Sequence, residues 1–320
     1  MKLFVTGGAG FIGSNYVRRV LGHSDDSVTV FDALTYAGNL DNLRGLDDDP
    51  RYTFVKGDIT DRDAVRSAMK GHDAIVHFAA ESHVDRSIAS PDEFVHTNCD
   101  GTNVMCDAAR RIGVDRFVHV STDEVYGSID EGSFSEADTL DPRSPYSASK
   151  AGSDLIALSY HSTYDVPVIV TRSSNNFGPY QFPEKLMPLF ITNLLEGKKV
   201  PLYGDGLNVR DWCFVEDNCA GLDTVLRAGT VGEIYNIGGG NEIPNREITD
   251  TILELLGHDE SMVEYVEDRL GHDRRYSITT DKVRALGWTP AREFRDALEE
   301  TVGWYRDNRW WWEPLKERST

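Results

Sequence analysis

The chain has 320 residues, 40% of them hydrophobic, with 33 basic against 53 acidic side chains and a formal net charge of −20. That length buries a large core in one or two domains. The charge disfavours nonspecific binding to nucleic acid or an anionic membrane surface, although a local pocket can still be positive enough to hold phosphate.

The opening M-K-L-F-V-T reads as a strand and not as a signal peptide. No apolar run reaches the roughly 18 residues of a spanning helix, so a cytoplasmic protein is expected. Directly after Lys2–Thr6, the glycines Gly7, Gly10 and Gly13 fit G-x-x-G-x-x-G. The first glycines permit a tight turn and close approach of a pyrophosphate, and the third permits close helix–sheet packing. A helix beginning at Phe11 and Ile12 would point its amide end at the phosphates. A second strand at 28–31 ends in Asp32, whose carboxylate would face ribose hydroxyls and repel a 2'-phosphate. That favours NAD over NADP; the competing reading is a helix cap or a solvated strand end. Thr35 and Gly38 lie in a loop able to wrap the adenosine side.

Tyr52–Lys56 is a third strand, closed by Gly57, Asp58 and Ile59. Asp58 either accepts from an adenine amino group or caps the helix that starts near Asp61. A fourth strand at 73–78 runs into Ala79, Ala80, Glu81 and Ser82, where two small residues let a cofactor backbone pass. His77 has no partner at metal-ligand spacing and reads as structural; no metal site is expected. A polar loop over 83–87 precedes a long helical segment, 91–112, striped by Val95, Val104, Ala108 and Ile112. A fifth strand at 117–120 delivers S-T-D-E-V-Y-G at 121–127. Ser144-Pro145 then starts a helix, with a capping hydroxyl and Pro in the first turn. Tyr146 and Lys150 share one face of it. Lowering a phenol by about 3 units needs roughly 4 kcal/mol of differential interaction. Lys150, a cofactor's positive ring and partial burial would have to supply the net. A sixth strand, 168–170, leads to Asn175, Asn176 and Gly178.

Strand–helix alternation over the first 175 or so residues predicts an α/β fold, a Rossmann-type doubly wound parallel sheet. Ligands then sit at the carboxyl ends of the strands, where Gly7, Asp32, Asp58, Ala79, Thr122 and Asn175 all fall. Residues 1–178 are the expected cofactor domain. Residues 179–320 are expected to form a smaller mixed α/β substrate lobe, with some chain crossing between the two. In that lobe helices are predicted over 182–195, 215–226, 248–256 and 294–305, and strands over 198–202 and Ile234–Ile237. Arg210 and Arg274 offer planar paired donors for phosphate, although a lone Arg reads equally as a surface residue. Trp310, Trp311 and Trp312 must be partly covered, by this chain or by a second subunit. Cys99, Cys106, Cys213 and Cys219 form no C-x-x-C pair and read as reduced thiols in or near the core. The two long helices would flank the sheet and could also form a subunit seam.

The stretches T-G-G-A-G-F-I-G at 6–13, A-A-E-S-H-V-D-R-S at 79–87, S-T-D-E-V-Y-G at 121–127, Y-S-A-S-K at 146–150, R-S-S-N-N-F-G-P-Y at 172–180 and G-H-D-R-R-Y at 271–276 together resemble the extended short-chain dehydrogenase/reductase family. The resemblance covers nearly the whole chain and is strongest to its nucleotide-sugar dehydratases. It implies NAD as a recycled cofactor, dTDP-glucose as substrate, and a homodimer built through a four-helix seam. It implies Tyr146 as base for the sugar 4-hydroxyl, Lys150 as its activator, and Thr122 as a hydrogen-bond partner of the same oxygen. Glu124 would remove the C5 proton, and Asp123 would protonate the departing 6-hydroxyl. Neighbours on a strand point oppositely, so the two acids can serve one ligand only if the backbone turns after Thr122. Ser82, His83, Asn175, Asn176, Arg210, Asn245 and Arg274 fall in stretches that match the family's nucleotide-sugar pocket. The alternatives are a 4-epimerase or decarboxylase of the same fold and, remotely, a non-enzymatic nucleotide-binding protein. Relatives of the epimerase kind need neither acid, which makes Asp123-Glu124 the discriminating pair.

Overall fold

The computed structural model describes residues 1–268 and 272–319. Gly271 of the G-H-D-R-R-Y stretch lies outside the described residues. In chain order the strands are β1 (Lys2–Thr6), β2 (Ser27–Asp32), β3 (Tyr52–Lys56), β4 (Ala74–His77), β5 (Arg116–Thr122), β6 (Val168–Ser173), β7 (Asn175–Phe177), β8 (Val200–Tyr203), β9 (Val209–Phe214), β10 (Ile234–Ile237), β11 (Glu242–Pro244) and β12 (Val263–Val266).

Seven of them make one sheet in the order β10-β6-β5-β4-β1-β2-β3, with every neighbouring pair parallel. The central strands are apolar runs buried on both faces, as parallel sheets require: Leu3 to Val5, Ala74 to Val76 and Val168 to Val170 are at most 1% exposed. On one face the helices Phe11–His23 and Val215–Ala228 pack Tyr16, Val17, Leu222 and Val225 against Leu3, Val5 and Val28. On the other, Arg62–Met69, Gly101–Ile112 and Pro145–Tyr164 pack Val65, Met105 and Ala157 against Phe4, Phe31 and Ile75. All seven sheet strands fall where the sequence pattern puts them, although the last was expected in the smaller lobe. The seventh, β10, returns from the later half of the chain to pair with β6. Strand order reverses between β1 and β4, which opens a crevice at their carboxyl ends.

A second core joins Phe177, Phe190, Trp212, Ile252, Leu298 and Trp312. Around it lie a three-stranded sheet, β11-β9-β7, and a two-stranded parallel one, β12-β8. Trp311 and Trp312 are 2% and 0% exposed, so this chain itself covers them, within a helix, Arg309–Ser319, that sequence reading did not foresee. Trp310 stays half-exposed beneath the Arg44 guanidinium.

Two expected helices differ in form. The segment over 91–112 is broken: Pro91–Phe94, a wide π turn at Val95–Asp100, then Gly101–Ile112. Asn98 leaves the helical pattern to accept from Glu81 N at 2.8 Å and donate to Ser149 Oγ at 2.8 Å. Gly101 packs closely on Ile59, whose Cδ1, 2.4 Å from where a Cβ would stand, would have to shift to admit one. The helix expected from 182 starts instead at Leu186, because Pro183 biases its predecessor away from helical geometry. The four cysteines are free, three buried and Cys99 half-buried. Among the described residues no helix is long and apolar enough to cross a membrane, and no group of three or more His, Cys, Asp or Glu side chains is placed to hold a metal.

Candidate active site

The crevice at the ends of β1, β2 and β4 holds a cleft of about 270 Å³. Gly7 has φ +68°, and a Cβ on it would meet Ala79 N at 2.6 Å; one on Gly13 would meet Gly7 O at 2.3 Å. Both positions therefore demand glycine, and the turn presents bare backbone to the cleft. Asp32 closes the far side, with Ala9 N donating to Oδ2 at 2.9 Å and Leu34 N to Oδ1 at 2.8 Å. Burial raises its pKa, and these two amides oppose the shift. Every residue expected to touch the cofactor lines this cleft: the three glycines with Phe11 and Ile12, Asp32, Thr35, Gly38, Asp58, Ile59, Ala79, Ala80, Tyr146 and Lys150. The helix cap that competed for Asp58 is made by Asp61, which accepts from Asp63 N and Ala64 N. His77 is structural, held by Thr6 Oγ1 at 2.6 Å.

The reacting groups gather at the inner end. Ser144 and Ser147 form a reciprocal capping box that starts Pro145–Tyr164 and fixes Tyr146 and Lys150 on its first turns. Lys150 Nζ donates to Val120 O at 2.8 Å. Burial lowers Lys150 to about 8, opposed by Asp154 and then Cys99. Burial and then Glu124 raise the Tyr146 hydroxyl far above its ordinary value, and a hydrogen bond with Thr122 counters them. After Thr122 the backbone turns into a 3-10 segment, Asp123–Tyr126, meeting the condition that lets both acids face one ligand. Asp123 is buried, and its Oδ2 has no hydrogen-bond partner among the described residues. Burial, Glu124 and Asp211 push its pKa well above the carboxylate range, and Arg210 opposes them. Burial thus favours the protonated forms of Asp123 and Tyr146 in the free protein, two perturbed titrating groups side by side.

A second cleft of about 200 Å³ adjoins the first. Ser82, Glu184 and Lys185 line both. Ser82, His83, Glu124, Asn175, Arg210 and Asn245 line the second; Asn176 and Arg274 line neither. Arg210 is buried, donates Nη2 to Asp273 O at 2.9 Å and stacks 4.2 Å over the Tyr276 ring. Arg274 is half-exposed and holds Asp205 with bonds of 2.9 and 3.2 Å. Sequence reading missed Tyr36, Glu184, Lys185 and Trp311 in the first cleft and Tyr203, Trp212 and His272 in the second. The Q-F-P-E-K run just after G-P-Y was the available signal for Glu184 and Lys185, because it closely follows β7, the strand that Asn175 opens.

The profile of the GDP-mannose 4,6 dehydratase family matches residues 4–301. A dTDP-glucose 4,6-dehydratase of Streptomyces antibioticus is 57% identical over 99% of this chain and 96% of its own. The low-salt glycan biosynthesis protein Agl12 of Haloferax volcanii is 56% identical over 95% of this chain and 98% of its own. The crystal structure of DesIV, a dTDP-glucose 4,6-dehydratase from Streptomyces venezuelae with NAD and dTDP bound, superposes with a TM-score of 0.97 at 57% identity, covering 98% of this chain and 100% of that one. The chain belongs to the GDP-mannose 4,6 dehydratase family, within the extended short-chain dehydrogenase/reductases.

Proposed function

We propose that this protein is a dTDP-glucose 4,6-dehydratase, an NAD-dependent lyase that turns dTDP-glucose into dTDP-4-keto-6-deoxyglucose and water. The observation that carries the reading is the turn after β5, which sets Asp123 and Glu124 beside Tyr146, with Tyr146 lining the first cleft, Glu124 the second and Asp123 buried behind them. The relatives support it, being dTDP-glucose 4,6-dehydratases at more than half identity over almost the full chain. NAD fits the first cleft, since the glycine turn has no room for a Cβ at Gly7 or Gly13 and Asp32 stands at the ribose end.

When bound, NAD supplies the acceptor for the C4 hydrogen, the donor that returns it to C6, and a positive ring that favours a Tyr146 phenolate. The chain's own residues do the proton work. Tyr146 takes the proton of the 4-hydroxyl, with Lys150 charged behind it and Thr122 fixing the oxygen. Once C4 is a ketone the C5 hydrogen is acidic, and Glu124 removes it. Asp123, protonated because it is buried beside two other carboxylates, gives its proton to the leaving 6-hydroxyl as the C6–O bond breaks. Ser82, His83, Asn175, Asn176, Arg210, Asn245 and Arg274 bind the nucleotide sugar in this reading; Arg274 must leave Asp205 to reach a phosphate. Residues 1–178 form the cofactor domain and 179–320 the substrate lobe, each lending side chains to the other's cleft, with Val215–Ala228 and β10 crossing back to the sheet. A homodimer through the segments at 91–112 and 145–164 accounts for the exposed Val95 and Leu155 on them. The nucleotide-sugar chemistry fits the cytoplasmic placement expected from the sequence.

Incubation with dTDP-glucose in deuterated water, followed by NMR, tests the reaction. Deuterium at C5, a 6-methyl group and transfer of the C4 hydrogen to C6 are expected. Formation of dTDP-galactose with C5 untouched and the 6-hydroxyl retained would overturn the reading in favour of an epimerase.

A further inference from the structure

The helix Pro145–Tyr164 carries three polar side chains at four-residue steps, Tyr146, Lys150 and Asp154, and such steps put them on one stripe. The reaction uses the first two. Asp154 lines neither cleft and is 0% exposed. A buried carboxylate is costly unless it is paired; here Oδ2 is paired with Arg172, while Oδ1 has no hydrogen-bond partner among the described residues. Arg172 on β6 donates Nε to Oδ2 at 2.9 Å, and His119 on β5 brings Nε2 to 3.4 Å from Oδ1. Arg172 is itself stacked 4.7 Å over the Tyr126 ring. His119 is also bound to Ser153 Oγ at 3.0 Å, and its neighbour Val120 takes the Lys150 hydrogen bond.

We propose that Asp154 is a positioning residue for catalysis: held by Arg172 and His119, it is the buried counter-ion that keeps the Lys150 ammonium charged and in place behind Tyr146. The inference rests on the dehydratase reading above, because it needs Lys150 to act as a cation. The other groups around Lys150 cannot take this part. Cys99, from the π turn, is a thiol whose pKa burial raises. His77 on β4 and His119 on β5 are held neutral by burial. Arg172 is a cation, and Tyr146 is protonated in the free protein. Among these neighbours Asp154 brings the negative charge, opposing the burial that would otherwise strip Lys150 of its proton.

The test uses the NAD-loaded full chain and the rate of dTDP-glucose dehydration from pH 6 to 10. Wild-type activity should fall on the alkaline side as Lys150 loses its proton. Asp154→Asn should move that limb down by about one pH unit, a loss of roughly tenfold on the falling limb. Asp154→Glu should hold the limb near its wild-type place. The double variant Asp154→Asn with Arg172→Met removes both charges of the buried pair, restores a neutral interior, and should move the limb down by less than Asp154→Asn alone. A purely structural Asp154 would lower the rate equally at every pH. A limb that stays in place in Asp154→Asn overturns the proposal; if that variant does not fold, a limb displaced by a full unit in Asp154→Glu, which keeps the charge, does so. A wild-type chain that leaves dTDP-glucose unchanged is a separate result, seen before any variant is compared, and it removes the dehydratase reading together with this inference.

Discussion

In the first cleft Asp32 gives one carboxylate oxygen to each of two backbone amides, and the glycine turn is locked by contacts that leave no room for a Cβ. Across the wall of Ser82, Glu184 and Lys185, the second cleft keeps the side-chain oxygens of Asn175 and Asn245 buried without hydrogen-bond partners among the described residues. Asp123 Oδ2 is in the same condition close by. A buried acceptor without a donor costs about 1–3 kcal/mol. The first cleft has orphans of its own, Ser121 Oγ and Gln181 Oε1, but the cradle of its glycine turn and Asp32 is already locked; on the substrate side the orphaned oxygens belong to residues expected to hold the sugar, a cost that a hydroxylated, phosphorylated ligand can relieve. Binding energy released there is available to orient the sugar against Tyr146 and the two acids.

The largest effect should come from the reacting group at the inner end of the first cleft. Tyr146→Phe removes the proton acceptor and should lower kcat by about 10²- to 10⁴-fold with little change in KM; an unchanged kcat would reject Tyr146 as the base. Next comes the cradle. Gly13→Ala drives a methyl to 2.3 Å from a backbone oxygen, and overpacking of that kind costs about 1–3 kcal/mol. Calorimetric titration with NAD should show binding weakened roughly 5- to 150-fold, with dTDP binding little altered. Equal weakening of both ligands would mean that the two clefts are not separately built.

Asn245→Ala probes the opposite side. Its Oδ1 accepts nothing among the described residues, so truncation should raise KM for dTDP-glucose by about tenfold, the effect of one lost hydrogen bond of about 1.4 kcal/mol. The melting temperature should hold or rise slightly, and NAD binding should not move. A marked fall in melting temperature would show that Asn245 supports the fold and is no reserved acceptor.

The same contrast explains what could be read from the sequence. The cradle was legible because its parts are contiguous: Gly7 to Gly13 follow β1 at once, Asp32 ends β2, and Ser144-Pro145 starts the helix that carries Tyr146 and Lys150. The wall was not. Lys185 Nζ reaches Ser82 O across 103 residues, and Trp311 reaches Asn42 across 269, pairings that no local period encodes. The π turn at Val95–Asp100 was hidden because its cause, the Asn98 contacts with Glu81 and Ser149, is tertiary. Arg274 matched a motif, yet its guanidinium is held by Asp205 outside both clefts; a spacing rule carries no information on which carboxylate an exposed Arg finds first.

The smallest expected change is in stability, and it bears on whether the acid was kept at a cost to the fold. In the unfolded chain Asp123 has an ordinary pKa of about 3.9; in the fold burial, Glu124 and Asp211 raise it well above that. Between those two values the native state holds a proton that the unfolded chain has released, so native stability falls as pH rises through the window and the loss is complete above the folded value. Asp123→Asn cannot ionise and escapes that loss. The variant should fail to eliminate water. Its melting temperature should match the wild type near pH 3 and exceed it increasingly towards neutral pH. Each kcal/mol gained is worth about 2 °C in a chain of this size. A wild-type protein that melts above Asp123→Asn at every pH would mean that the carboxyl is satisfied in the fold. The substrate side would then no longer differ from the cradle at this residue, and its raised pKa would have to be supplied by the bound sugar.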